Sequence, residues 1–281
     1  MGVWVMAGVT FREAARKKIL WLALAAGTGF LALFGTGLYF NLKDLAVRPN
    51  HLMARAGINS LLMLGLYAVD GLAVAMTVMI SADTLSGEIA SGTIQAVATK
   101  PVARWEVLLG KWLGFVGMMT LYLVMIVGGV AGLTYALSAH FLRAGVAPRH
   151  LLLGTSLIWL ECLLMLNLTM LCGTTFSTLT NAVLALGMHG IAFMGGWIEQ
   201  AGTITHSPRA VTVGIVASVL MPSESLWRRA VHEMQSPLVS AFNFGPWGNE
   251  SVPSGLMVAF AAAYLIVALA LALHRFARRD L

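Results

Sequence analysis

Six long stretches of the chain carry almost no charge, at about residues 19–40, 57–80, 110–137, 151–176, 182–198 and 254–274. A bilayer core about 30 Å thick takes roughly 20 helical residues to cross, so most of these stretches are long enough to span it and the fifth is the shortest. Ahead of them, residues 3–18 alternate with a helical period. Trp4, Ala7, Phe11, Ala14 and Ala15 fall on one side and Arg12, Glu13 and Arg16 on the other, the pattern of a helix lying in the membrane interface. The basic cluster Arg16-Lys17-Lys18 comes too late, and the apolar run after it is too long, for a cleaved signal peptide. The pattern predicts an all-α integral membrane domain covering residues 1–281, with six transmembrane helices and an N-terminal interfacial helix.

The segment from about 199 to 253 interrupts this regularity. It holds five of the eight prolines (Pro208, Pro222, Pro237, Pro246 and Pro253) and one apolar run, Ala210 to Met221, that is too short to span. The run is expected to be re-entrant or interfacial on the outer side; a short true span is the alternative. With six spans, Arg12, Arg16, Lys17, Lys18, Lys100, Arg104, Lys111, Arg275, Arg278 and Arg279 share one side and the other eight Lys and Arg the opposite one. This bias puts both termini in the cytoplasm and the chain in the inner (cytoplasmic) membrane.

Composition agrees. The 281 residues are 58% hydrophobic and 11% charged, against about 25% charged in a soluble domain. Too little charge remains to cover a water-facing surface. The net charge of +6 sits mainly in short segments beside apolar runs, so topology explains it and nucleic-acid binding is not expected. Cys162 and Cys172 are ten apart in one apolar segment, roughly 15 Å along a helix, too far for a disulfide. The sixteen methionines suit soft metals, but they are scattered without companion Cys or His and are expected to fill apolar space. No metal site and no cofactor are expected on this chain.

Two carboxyls fall inside spans, Asp70 in the second and Glu161 in the fourth. Charge at that depth is costly and marks a functional candidate. They either line a substrate or proton path, or are tied structurally to a neighbour such as Asn59, Asn167 or Thr77. His189, in the fifth span, is expected to be a hydrogen-bonded core residue. Casting Asp70, Glu161 and His189 as the acid–base groups of an intramembrane enzyme finds no support from a linking motif: G-x-S-x-G and H-E-x-x-H are both missing. Gly110-x-x-x-Gly114 and Gly128-x-x-x-Gly132 permit close helix packing.

The longest polar segment on the cytoplasmic side is Ser81 to Lys111, expected as two short helices broken at Lys100-Pro101. The first would carry Asp83 and Glu88 near its N-terminus. Within it, Glu88-x-x-x-Gly92-Thr93-Ile94, then Pro101-Val102-x-Arg104, then Gly110-Lys111 leading into a span, resemble the permease subunits of ABC-2 type transporters. The stretch Met221-Pro222-Ser223-Glu224-Ser225-Leu226-Trp227-Arg228 also resembles a Pro-containing segment before the last span of related permeases, with no role carried over.

The resemblance implies that region 81–109 forms a coupling helix seated on an ABC ATP-binding subunit. Asp83, Glu88, Gly92, Thr93, Gln95, Pro101 and Arg104 would lie at or near that interface. It further implies a second permease copy, identical or related, and movement of substrate outward. ATP and Mg would be held by the partner ATPase, because this chain has no G-x-x-x-x-G-K-[ST] phosphate loop. The chain itself is expected to be non-catalytic. A non-transporting membrane scaffold for an ATPase is the alternative.

Overall fold

The computed structural model describes residues 2–46, 51–90, 103–138, 148–235 and 251–278. These form nine helices: α1 (Gly2–Arg16), α2 (Lys18–Ala46), α3 (His51–Ala90), α4 (Arg104–Ser138), α5 (Pro148–Gly173), α6 (Thr178–Ile204), α7 (Pro208–Leu220), α8 (Ser223–Met234) and α9 (Gly255–Arg278). Six of them, α2 to α6 and α9, are long and apolar enough to cross a membrane. The expected six-span all-α fold is what the chain adopts. The fifth span is longer than the uncharged run 182–198 suggested, covering Thr178–Ile204. Its polar ends are absorbed inside the protein, with Asn181 and Glu199 both buried.

Helices α3, α4 and α5 form the centre, with one large apolar core running through Leu66, Val69, Leu123, Ile126, Ile158 and Leu166. Polar side chains pin the helices at intervals. Trp112 Nε1 donates to Asn167 Oδ1 at 2.6 Å, and Asn167 Nδ2 donates to the Leu265 carbonyl at 2.9 Å, which joins α4, α5 and α9. Trp159 Nε1 donates to Thr120 Oγ1 at 2.8 Å. Leucine at position 167 strands the indole N–H in an apolar setting, so Asn167→Leu is expected to lower stability by about 1–2 kcal/mol, read as a lower melting temperature in detergent.

The N-terminal helix packs along α4 through the first glycine pair. A Cβ on Gly114 would lie 2.9 Å from the Ala7 carbonyl oxygen and 2.9 Å from Thr10 Cβ, and one on Gly110 would lie 2.9 Å from the Val3 carbonyl oxygen. The buried face of α1 is therefore the small-residue side with Thr10 and Ala14. Trp4 (76% exposed) and Phe11 (37% exposed) face outward beside it, where the interface favours aromatic rings. The apolar side of α1 is thus divided between protein and surroundings. Among the described residues nothing lies within 4 Å of a Cβ added at Gly128 or Gly132, so the second glycine pair packs against none of the described helices.

The α7–α8 pair is a sharply bent excursion between the fifth and sixth spans. α6 ends in a tight reversal in which the Ser207 N–H bonds the Gly202 carbonyl at 2.8 Å and His206 takes a left-handed φ of 52°, the geometry of a Schellman cap. α7 then runs back antiparallel along α6: Gly202 lies against Ala210 and Val211, and Gly195 against Ala217. After a bend of 105°, α8 begins beside Gly196 with Glu224 and ends with Met234 against Gly154, in the second turn of α5. α7 therefore runs back along α6, α8 turns towards the start of α5, and α9 is the sixth helix long enough to cross.

Candidate functional site

Asp70, Glu161 and His189 each sit near the middle of their spans, and the fold brings all three together. Asp70 is 5% exposed and Glu161 is fully buried. Their carboxyl groups lie within hydrogen-bonding reach of one another. Among the described residues, no hydrogen-bond donor reaches Asp70 Oδ1 or either oxygen of Glu161. His189 Nδ1 stands 3.1 Å from Ser223 Oγ and 3.6 Å from Glu161 Oε1, so the histidine is the hydrogen-bonded core residue its setting predicts. Two of the neighbours expected to tie the carboxyls down are turned elsewhere. Asn167 bridges Trp112 and Leu265, and Thr77 Oγ1 donates to the Ala73 carbonyl at 2.7 Å.

The bent α7–α8 pair brings in two more acids and one base. Glu224 sits in the first turn of α8, where the helix dipole favours a carboxylate, and is only 5% exposed. It acts electrostatically on both Asp70 and Glu161. Gly196 makes room for it, since a Cβ there would meet Glu224 Cγ at 2.6 Å. Arg228, one turn further along α8, donates from Nη2 to Glu199 Oε2 at 2.9 Å and to Ser218 Oγ at 3.4 Å. Ser251 Oγ donates to Glu199 Oε1 at 2.6 Å. A cavity of about 230 Å³ lies against Glu199, Arg228, Ser218 and Ser251 beside the start of α9.

Four buried carboxyls and one buried guanidinium thus form one cluster. Sequence reading found two of these five residues. Glu199 lies one position beyond the expected end of the fifth span, and Glu224 and Arg228 lie in the Pro-containing stretch to which no role was given. Their signal was the i, i+4 spacing of acid and base, which sets both on one side of a single short helix.

The expected coupling face is the opposite end of α3. Two short helices with Asp83 and Glu88 at an N-terminus were expected; α3 instead runs unbroken to Ala90, which puts both acids in its C-terminal turns. No proline interrupts 81–90, and the polar side chains of this stretch find partners across the bundle. Lys17 Nζ bonds Asp83 Oδ2 at 2.7 Å. Ser81 Oγ and Thr169 Oγ1 are 2.6 Å apart, and Asn181 Nδ2 donates to Ser86 Oγ at 3.3 Å and to the Thr169 carbonyl at 2.9 Å. Arg104 opens α4 and is exposed. Gly92, Thr93, Gln95 and Pro101, with the helix break expected at Lys100-Pro101, lie outside the described residues.

No curated protein matches the sequence. A family model described as ABC-2 family transporter protein matches residues 4–281, nearly the whole chain. With six spans and a match of that extent, the chain belongs to the ABC-2 family of transporter proteins.

Proposed function

We propose that this chain is the membrane-spanning subunit of an ATP-driven exporter, moved by a separate ABC ATP-binding subunit that docks on residues 81–111. The partner binds ATP and Mg and hydrolyses the nucleotide; this chain converts the partner's motion into rearrangement of its helices. A second permease copy, identical or related, stands beside it, and substrate crosses where the two meet. Both termini and the docking face lie on the cytoplasmic side of the cell membrane, in keeping with the Lys and Arg bias between the loops.

The observation that carries this reading is how the end of α3 is fastened. Lys17, at the α1–α2 junction, holds Asp83, and α5 and α6 hold Ser81 and Ser86. A push on the segment that follows α3 would thus be delivered to the N-terminal helix and three spans together, as a lever requires. Glu88, near the end of α3, and Arg104, at the start of α4, stand on either side of that segment in the chain.

The tagged chain, purified in mild detergent from its own cells, is expected to bring an ABC-type ATPase with it. Changing Glu88 and Arg104 together to alanine is expected to release that ATPase, while the permease still elutes as a single folded species. A wild-type chain that carries no ATPase across several detergents, yet remains folded, overturns the reading.

A further inference from the structure

Asp70 and Glu161 pose a problem of charge. They are buried against each other, and no donor among the described residues reaches Asp70 Oδ1 or the Glu161 oxygens. The titratable and charged groups facing them are Tyr67 on α3, Cys162 on α5, His189 on α6, and Glu224 and Arg228 on α8, with Glu199 behind. Of these, Arg228 is held by Glu199 and Ser218, and His189 reaches Glu161 only at 3.6 Å. Carboxylates placed together at low dielectric cannot all stay ionised. Among the described residues no group of three or more His, Cys, Asp or Glu is arranged to hold a metal ion. A proton on either carboxyl would turn it into the missing donor.

A route for that proton leads in one direction. Glu199 borders the cavity beside the start of α9. Glu199 acts electrostatically on Glu224, and Glu224 in turn on Asp70 and Glu161. The Tyr67 ring is placed beside both Glu224 and Asp70 and against Trp227 of α8 at 5.3 Å. Towards the opposite face α3 and α5 carry buried hydroxyls and amides, Thr77, Ser81, Asn167 and Thr169, and no further acid before Asp83. The acids therefore step inward from the face away from the two termini and stop at mid-membrane.

We propose that Asp70 and Glu161 form a proton-exchanging site at the centre of the membrane, loaded from the face away from the termini through Glu224 and the cavity that Glu199 lines. In each step one proton leaves a carboxylic acid and joins the next carboxylate, and no other bond changes. Under the transporter reading above, substrate movement is then linked to proton uptake from the outer side.

The test uses the full chain alone in lipid nanodiscs, so its outcome is separate from whether an ATPase binds. Infrared difference spectra recorded between mildly acidic and mildly alkaline pH are expected to show a protonated-carboxyl carbonyl band that follows pH. That band is lost in Glu161→Gln and, as a second near-isosteric variant, in Asp70→Asn, each checked for an unchanged elution profile. In Glu224→Gln the band persists, but its response to a pH step slows by about tenfold or more. A wild-type band that is missing or indifferent to pH overturns the site. A band that responds to added sodium or potassium at fixed pH, and not to pH, overturns it in favour of an alkali cation. A response as fast in Glu224→Gln as in the wild type overturns the route.

Discussion

Replacing Arg228 with alanine is expected to cost about 3–5 kcal/mol of stability, because it leaves a buried carboxylate without its cation. Glu199 keeps the Ser251 hydroxyl at 2.6 Å, but a neutral donor does not offset a buried charge. Glu224, also influenced by Arg228, loses the same support. The measurement is thermal unfolding of the purified chain in detergent, where the loss appears as a fall in melting temperature of roughly 10 °C. Arg228→Met combined with Glu199→Gln is expected to recover most of it, since removing both members of a buried pair is often close to neutral. Arg228→Lys should fall between the two, keeping the charge but losing the planar fork that serves Glu199 and Ser218 together. An alanine variant that melts with the wild type would mean that the pair does not hold α8 against α6.

The spans were legible because each depends on one local quantity, an uncharged run long enough for the bilayer. Positions where tertiary contacts override that quantity were not. The stretch Ser81–Ala90 reads as the start of a separate short helix, yet it continues α3 without a break, because Ser81, Asp83 and Ser86 each meet a partner from another part of the bundle. Asp70 and Glu161 stood out by depth alone, whereas Glu199, Glu224 and Arg228 did not. A charge beside a span end ordinarily reaches water, and only the inward course of α7 and α8 carries Glu224 and Arg228 into the interior and covers Glu199 on α6. The division of α1 had the same cause: its helical period was visible, but which apolar side chains meet α4 depends on where Gly110 and Gly114 lie on the facing helix.

That inward course rests on the α6–α7 hairpin, and one glycine tests it. A Cβ at Gly214 would lie 2.7 Å from the Gly195 carbonyl oxygen and 3.0 Å from Glu199 Cα, and against Glu199 Cβ. Two of these three atoms are backbone, so no rotamer change makes room and the helices must separate. Gly214→Val is expected to lose at least about 3 kcal/mol, at the upper end of overpacking costs, again read by thermal unfolding. Gly128→Val is the matched control. It places the same side chain on a spanning helix where nothing lies within 4 Å, and its change should stay within about 0.5 kcal/mol. Separation of α6 from α7 also moves Glu199 relative to Ser218 and Arg228. Gly214→Val should therefore disturb the carboxyl infrared band as well as the melting temperature, while Gly128→Val leaves both unchanged. If the two valine variants melt alike, the hairpin is not packed through its glycines, and the depth reached by Glu224 must be set by something other than α7.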